Sequence, residues 1–156
     1  MLRRVGAIWG VVGILALLGF AVWRLTPLAL EAIMMGLTGW QWTVMIAWTL
    51  FMVISEGYDG FYKRLAPRVA DRAQEIREKG KRLDIVLAPL YCFGYFRAPL
   101  HRMIVSYTAI ILIICAVIVV QQVAQPWRGI IDMGVVVGLL CGMISIAIVS
   151  LRNATR

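Results

Sequence analysis

Four long stretches without a charged residue constrain the fold of this chain more than any other feature. Each stretch supplies the roughly 20 residues needed to cross a hydrocarbon layer about 30 Å thick. Backbone polar groups inside that layer must pair within their own segment, so each stretch should be an α-helix. The apolar content of 62%, against about 45–50% in soluble domains, also indicates burial in lipid. The sequence therefore predicts an all-α integral membrane protein with four transmembrane helices, at about residues 5–23, 37–55, 102–123 and 130–151.

The basic residues predict the orientation of the helices. Of the sixteen lysines and arginines, only Arg24 and Arg128 fall outside the two terminal segments and the segment between spans two and three. Because cytoplasmic segments are enriched in Lys and Arg, we expect both termini and the central segment in the cytoplasm, in a bacterial inner membrane. The net charge of +8 then favours contact with anionic lipid head groups. We expect no nucleic-acid partner, since the chain carries no recognised nucleic-acid module.

The central cytoplasmic segment, residues 56–101, contains a predicted amphipathic helix at about residues 67–79. Its apolar residues form one narrow stripe at helical spacing. Such a stripe favours a position on the membrane surface or against a partner about as strongly as it favours a simple solvated helix. A second apolar run, at about residues 85–96, is too short to span and suits the membrane interface.

The exit of span two, from Ser55 to Arg64, combines two glycines, two acids and three aromatic residues. This composition at a membrane exit predicts a compact turn. Glu56, Asp59 and Arg64 then form either an ion-paired structural turn or a recognition element for a cytoplasmic partner. The structural interpretation is favoured, because aromatic residues beside lipid need no partner to explain them.

The segment before span two has two interpretations. Thr26 and Pro27 are typical of a helix start, with Thr26 as the N-cap and Pro27 in the first turn. Residues 27–55 then form either one tilted helix or a short outer helix, residues 28–35, followed by a break near Gly36 and Gly39. The break is favoured because two glycines weaken a helix.

Glycines four residues apart mark the predicted helix-packing faces. Gly134, Gly138 and Gly142 form a ladder on span four, and Gly6 and Gly10 share a face of span one. Such small-residue faces let membrane helices approach closely. They serve either packing inside one protomer, with span four against span one or three, or a contact with another copy or another protein.

Four charged residues are predicted near the outer face. Glu31 and Asp132 are acids at the ends of apolar segments, and Arg24 and Arg128 lie at the same level. Ionisable groups within membrane depth are expensive and are functional candidates by default. They either form ion pairs at the wet interface or begin a proton or cation relay.

No residue pattern predicts catalysis, a metal site or a cofactor. His101 is the only histidine, and the sequence lacks the zinc-protease, nucleophile-elbow and phosphate-loop motifs. Cys92, Cys115 and Cys141 all fall in apolar segments, so we expect small buried hydrophobic residues rather than disulfides or ligands.

These observations favour a non-enzymatic function. The leading hypothesis is an accessory, scaffold or assembly subunit of a membrane complex, which associates through the glycine face of span four and the central segment. The alternative is a small oligomeric transporter or channel for protons, cations or small solutes that uses Glu31 or Asp132. Besides the lipid bilayer, the expected partner is another membrane protein or further copies of the chain.

Overall fold

A computed structural model describes residues 2–80, 82–95 and 99–154 of the chain. These residues form helices and turns and no strand, which confirms the all-α prediction. The helices are α1 (Leu2–Met34), α2 (Gly39–Met52), a π-helical segment (Val53–Leu65), α3 (Ala66–Lys79), α4 (Arg82–Val86), α5 (Ala88–Phe93), α6 (Leu100–Gln121) and α7 (Trp127–Ala154).

Three of these helices are long and apolar enough to cross a membrane. They comprise Arg4–Met34 of α1, Met103–Gln121 of α6 and Trp127–Asn153 of α7. They correspond to the predicted first, third and fourth spans. Their length and composition suggest a multi-pass membrane protein. The predicted second span falls on α2, which has only 14 residues before the winding changes.

The helix start predicted at Thr26 and Pro27 is wrong. Helix α1 continues through Pro27 to Met34, so the short outer helix is the last part of α1. Proline leaves the carbonyl four residues earlier without its helical donor. In α1 that carbonyl belongs to Trp23. The carbonyl of the preceding residue, Val22, accepts from the Thr26 hydroxyl at 2.7 Å. Helices in membranes tolerate proline where such side chains support the backbone.

The predicted break between α1 and α2 is confirmed. Gly36 has φ of +82°, a left-handed conformation that glycine adopts without steric cost. Thr38 then caps α2 by accepting from the Gln41 backbone N–H at 3.4 Å, while the Gln41 side chain accepts from the Thr38 N–H at 2.9 Å. This reciprocal capping box fixes the start of α2.

The compact turn predicted from Ser55 to Arg64 is also wrong. That segment belongs to the π-helical segment, whose end is marked by the Ala66 N–H donating to the carbonyl of Phe61, five residues earlier. Both boundary residues, Met52 and Leu65, keep right-handed helical backbone. Residues 39–79 therefore form one continuous helical stretch. Thirteen residues is long for π winding, which is usually confined to a single turn.

Helix α7 lies at the centre of the bundle. Its start contacts the end of α1, because Gly129 lies against Leu28 and Ala32. Further along, Gly19 of α1 lies near Met143, so α1 and α7 are antiparallel. The stretch 39–79 runs parallel to α7. It begins beside the α7 start and ends beside the α7 C-terminal turns.

Helix α3 confirms the predicted amphipathic helix and shows what covers its apolar stripe. The stripe packs against α1, α5 and α7 of the same chain. Val69 and Ile76 are at most 1% exposed and belong to one core cluster with Ile14 of α1 and Ile146 of α7. The acidic residues Asp71 and Glu75 lie outside the stripe and remain exposed. The apolar stripe is therefore buried against other helices of the same chain rather than against a membrane surface.

The short apolar run predicted at residues 85–96 forms α4 and α5 as far as it is described, to residue 95. The glycine face of α1 receives this run. A side chain at Gly6 would touch Ile85, one at Gly10 would touch Cys92 and Ala88, and one at Gly13 would collide with Pro89. The close approach predicted for Gly6 and Gly10 is therefore present, and its partner is α4–α5 rather than another span.

Helix α6 stands apart from this bundle. Every residue from Tyr107 to Val119 is exposed. Near its start, the Ser106 hydroxyl donates to the Phe93 carbonyl at 3.0 Å, and the Tyr107 hydroxyl donates to the Tyr95 carbonyl at 3.1 Å. A short connection, residues 122–126, joins its end to α7. Along its middle part α6 therefore lies away from α7.

Candidate functional site

The glycine ladder of α7 receives aromatic side chains of the same chain. A methyl group built on Gly134 would lie 2.5 Å from the Trp48 ring, and one on Gly142 would lie 2.5 Å from the Phe61 ring. At Gly138 the nearest atom, the Met52 carbonyl oxygen, is 3.6 Å away, an ordinary contact. Trp48 also donates its indole N–H to the Ile131 carbonyl at 3.2 Å.

This geometry corrects the predicted use of the ladder. The ladder packs against α2 and the π-helical segment, not against span one or three. Gly57 of that segment fits against Cys141 in return. Because Trp48 and Phe61 occupy the glycine face, it is not free to bind another copy or another protein. Of the two surfaces predicted for association, the glycine face is therefore covered within the chain, and association through the central segment stays a prediction.

A polar cluster joins α1 to α7 at the end where α7 begins. The Gln125 amide donates to the Leu28 carbonyl and to the Glu31 carboxylate, both at 3.2 Å. Its oxygen accepts from the Gly129 N–H at 3.1 Å. Glu31 is exposed and contacts Gln125 rather than an arginine. Gln125 was not among the predicted site residues, although it lies in the short connection between the third and fourth predicted spans.

Asp132 is the buried acid of this region. It is 4% exposed, and its Oδ2 lies 3.8 Å from Nε of Arg128 on the same helix. Neither of these two atoms has a hydrogen-bond partner among the described residues. The predicted pair of Asp132 with Arg128 is therefore present, buried and incompletely satisfied. Arg24, predicted at the same level, is exposed on α1.

The charged residues of the π-helical segment lie along one helix rather than in a turn. Asp59 accepts from the Lys63 ammonium group at 2.7 Å. The ammonium group also lies 4.4 Å from the centre of the Tyr58 ring, and Tyr58 stacks on Tyr62 at 5.7 Å. The hydrogen bond to Asp59 raises the pKa of Lys63 above its ordinary value. The predicted partners Glu56 and Arg64 are both exposed.

A second polar cluster, not found from the sequence, joins α3 to α5. The Tyr91 hydroxyl donates to Glu75 at 2.9 Å. The Arg72 guanidinium lies 3.4 Å from the same carboxylate and 4.7 Å from the centre of the Tyr91 ring. Burial, followed by the bond to Glu75, raises the pKa of Tyr91. Periodicity could not reveal this cluster, because Arg72 lies on the buried side of a charged helix.

The cysteines only partly match the prediction of small buried residues. All three are free. Cys92 is buried, and burial raises the pKa of its thiol to about 12. Cys141 is half-buried against Gly57, whereas Cys115 is exposed in the middle of α6. Cys115 therefore contradicts the expectation of burial.

The described residues contain no group of three or more His, Cys, Asp or Glu side chains able to hold a metal ion. Comparison with known proteins gives no match to a family model, to a curated sequence or to a solved structure. The functional candidates therefore come from this chain alone. They are the buried Asp132–Arg128 pair and the exposed apolar surface of α6.

Proposed function

We propose that the chain crosses a bacterial inner membrane four times, with both termini and α3 on the cytoplasmic side. The second span is formed by α2 and the first turn of the π-helical segment, which together are free of charge from Gly39 to Ser55. One observation supports a common side for the two termini and α3. The first turns of α1, the second half of α3 and the last turns of α7 line one cavity and so share one end of the molecule.

In this membrane the chain acts as a non-enzymatic accessory or assembly subunit, and α6 is the helix that binds another membrane protein. The exposure of every residue from Tyr107 to Val119 carries this proposal. The glycine faces of α1 and α7 are already covered by the chain's own residues. Helix α6 is the long apolar helix that the protomer leaves uncovered.

Packing energy favours a protein neighbour for such a helix. Between membrane helices the hydrophobic effect supplies little attraction, so association depends on van der Waals contact and hydrogen bonds. A partner helix laid along α6 gains these contacts without displacing any contact of the protomer. Helix α6 is held at both ends, by Ser106 and Tyr107 near its start and by the connection to α7. It therefore presents a positioned surface.

Native mass spectrometry in mild detergent tests this proposal. The variant replaces residues 108–119 by leucine, which keeps the segment apolar and helical but changes its surface. We expect the wild-type chain to carry a second membrane protein and the variant to be released as a monomer of unchanged thermal stability. The matched control places leucine at the exposed α1 residues Ile8, Val12 and Phe20. The control should keep the partner.

Two outcomes count against the accessory function. A partner that remains on the leucine variant would place the interface elsewhere. A discrete homo-oligomer without a second protein would favour a transporter or channel instead.

The second candidate function, proton or cation movement, is favoured by the burial of Asp132. A buried carboxylate with an unsatisfied oxygen is the kind of group on which relays in membranes depend. Flux measured in vesicles distinguishes the two functions. Asp132→Asn should abolish flux, whereas Glu31→Gln should retain it because Glu31 is exposed. Normal flux through Asp132→Asn would remove this candidate.

A further inference from the structure

A cavity of about 590 Å³ lies between the first turns of α1, the second half of α3 and the last turns of α7. This volume is within the range of about 300–1,000 Å³ that is typical of ligand sites. Most of the side chains that line it are apolar. The surrounding core cluster holds these three helices together, so the cavity is formed by the fold itself.

The positive charge of the cavity favours an anionic ligand. Arg4 and Arg77 line it, and none of its described lining residues is acidic. Both arginines are exposed, so their guanidinium groups are accessible. Arginine is suited to phosphate because its fork of N–H donors matches two phosphate oxygens.

The apolar walls of the cavity favour a lipid over a water-soluble anion. Ile8, Val12 and Leu151 line it yet remain exposed, so its mouth continues onto the apolar flanks of α1 and α7. A water-soluble anion would gain nothing from these walls. An acyl chain would cover them, and the phosphate of the same molecule would reach the arginines.

Ser150 lines the same cavity, and its hydroxyl is buried beside it. Ser150 Oγ is shielded from solvent and has no hydrogen-bond partner among the described residues. By contrast, Ser145 on the preceding turns donates to the Cys141 carbonyl at 2.8 Å. A buried polar group without a partner is costly. Rotation of the Ser150 side chain into the cavity would let this hydroxyl donate to an ester oxygen at the junction of head group and acyl chain.

We infer that this cavity binds one anionic phospholipid, with its phosphate on Arg4 and Arg77 and an acyl chain against the apolar wall. Basic pockets between helices on the cytoplasmic side of membrane proteins recognise such head groups. This site is separate from α6 and from the Asp132–Arg128 pair. It stands whether or not α6 binds a partner.

Lipid titration of the full chain by native mass spectrometry tests the site. The probe is phosphatidylglycerol, compared with zwitterionic phosphatidylcholine of the same acyl chains. The double variant Arg4→Gln, Arg77→Gln removes the cavity charges. The matched control Arg64→Gln, Arg68→Gln removes two exposed charges from the same helical stretch, residues 39–79, that do not line the cavity. Far-UV circular dichroism verifies that both variants are folded.

We expect the cavity variant to lose roughly 30-fold in affinity for phosphatidylglycerol and the control to lose less than about threefold. Phosphatidylcholine should bind weakly to all three proteins. Equal losses in both variants, or equal binding of the two lipids, would overturn the inference. So would displacement of phosphatidylglycerol by inorganic phosphate at a similar concentration, because the site would then recognise the phosphate alone.

Discussion

Helices α6 and α7 are both long and apolar enough to span a membrane, yet they make opposite use of their surfaces. Helix α7 lies at the centre of the bundle, and its Gly134 and Gly142 receive aromatic rings. Helix α6, the more apolar of the two, contains no glycine and is exposed through its whole middle part. Apolar character decides only that a helix enters the membrane. Small residues at helical spacing decide which helices pack closely.

The largest effect is expected where a bulky side chain replaces a glycine of the α7 ladder. Gly142→Leu forces its side chain into the Phe61 ring and should lower the free energy of unfolding by about 3 kcal/mol. Thermal unfolding in detergent measures this loss. The matched change on α6, Ala116→Leu, should leave stability within about 0.5 kcal/mol because Ala116 is exposed. Equal losses of stability at the two positions would contradict the conclusion that α7 is closely packed and α6 is not.

The next effect concerns the buried ion pair of α7. Arg128→Leu leaves Asp132 buried without its partner and should cost about 2 kcal/mol. This is less than the roughly 3–5 kcal/mol of a fully buried pair, because the Arg128 side chain keeps 27% exposure. Adding Asp132→Leu should recover most of the loss. A double-mutant cycle in chemical denaturation measures the coupling. Purely additive losses would show that the two charges do not interact.

A smaller effect is expected at the hydrogen bond between α2 and α7. Trp48→Phe keeps most of the ring against Gly134 but removes the N–H that donates to the Ile131 carbonyl. It should cost about 1 kcal/mol, measured by thermal unfolding beside Trp42→Phe, an exposed tryptophan on the same helix. A larger loss of stability in the Trp42 variant would indicate that Trp42, and not Trp48, makes the contact between α2 and α7.

The smallest effect at neutral pH belongs to Cys92, which α5 packs against Gly10 of α1. Its folded-state pKa of about 12 lies above the ordinary value of 9.0. The folded state then binds more protons than the unfolded state between these values, so stability falls as pH rises above about 9. The wild type should lose about 1 kcal/mol more than Cys92→Ala between pH 8 and pH 10. Identical pH profiles would indicate that the thiol is accessible to water.

The sequence predicts the three long apolar helices α1, α6 and α7 because charge-free runs have few other stable structures in a membrane. It predicts the break near Gly36 and Gly39 because glycines weaken a helix, and in the structure Gly36 adopts the positive φ that glycine tolerates. It fails at Pro27 and at residues 55–64, where local composition favours an interruption. At residues 55–64, the long-range contacts of Phe61 and Gly57 with α7 outweigh the local preference for a turn.

The candidate site was predictable in its parts but not in its pairings. The spacing of Gly134, Gly138 and Gly142 identified a packing face, yet spacing does not specify which helix fills it. The sequence likewise identified Asp132 and Arg128, which are one helical turn apart and therefore close. Contacts between distant segments, such as Gln125 with Glu31, depend on how α1 and α7 meet and leave no local pattern.

Photo-cross-linking from α6 in intact membranes tests most directly whether α6 binds another membrane protein. A photoreactive residue is placed in turn at positions 111, 112, 113 and 114, which together face all sides of the helix. Position 17, on the exposed flank of α1, is the control. We expect a cross-link of one defined mass to a second membrane protein from one side of α6, and no such product from position 17. Products only within the chain, or no product from any of the four positions, would contradict that expectation.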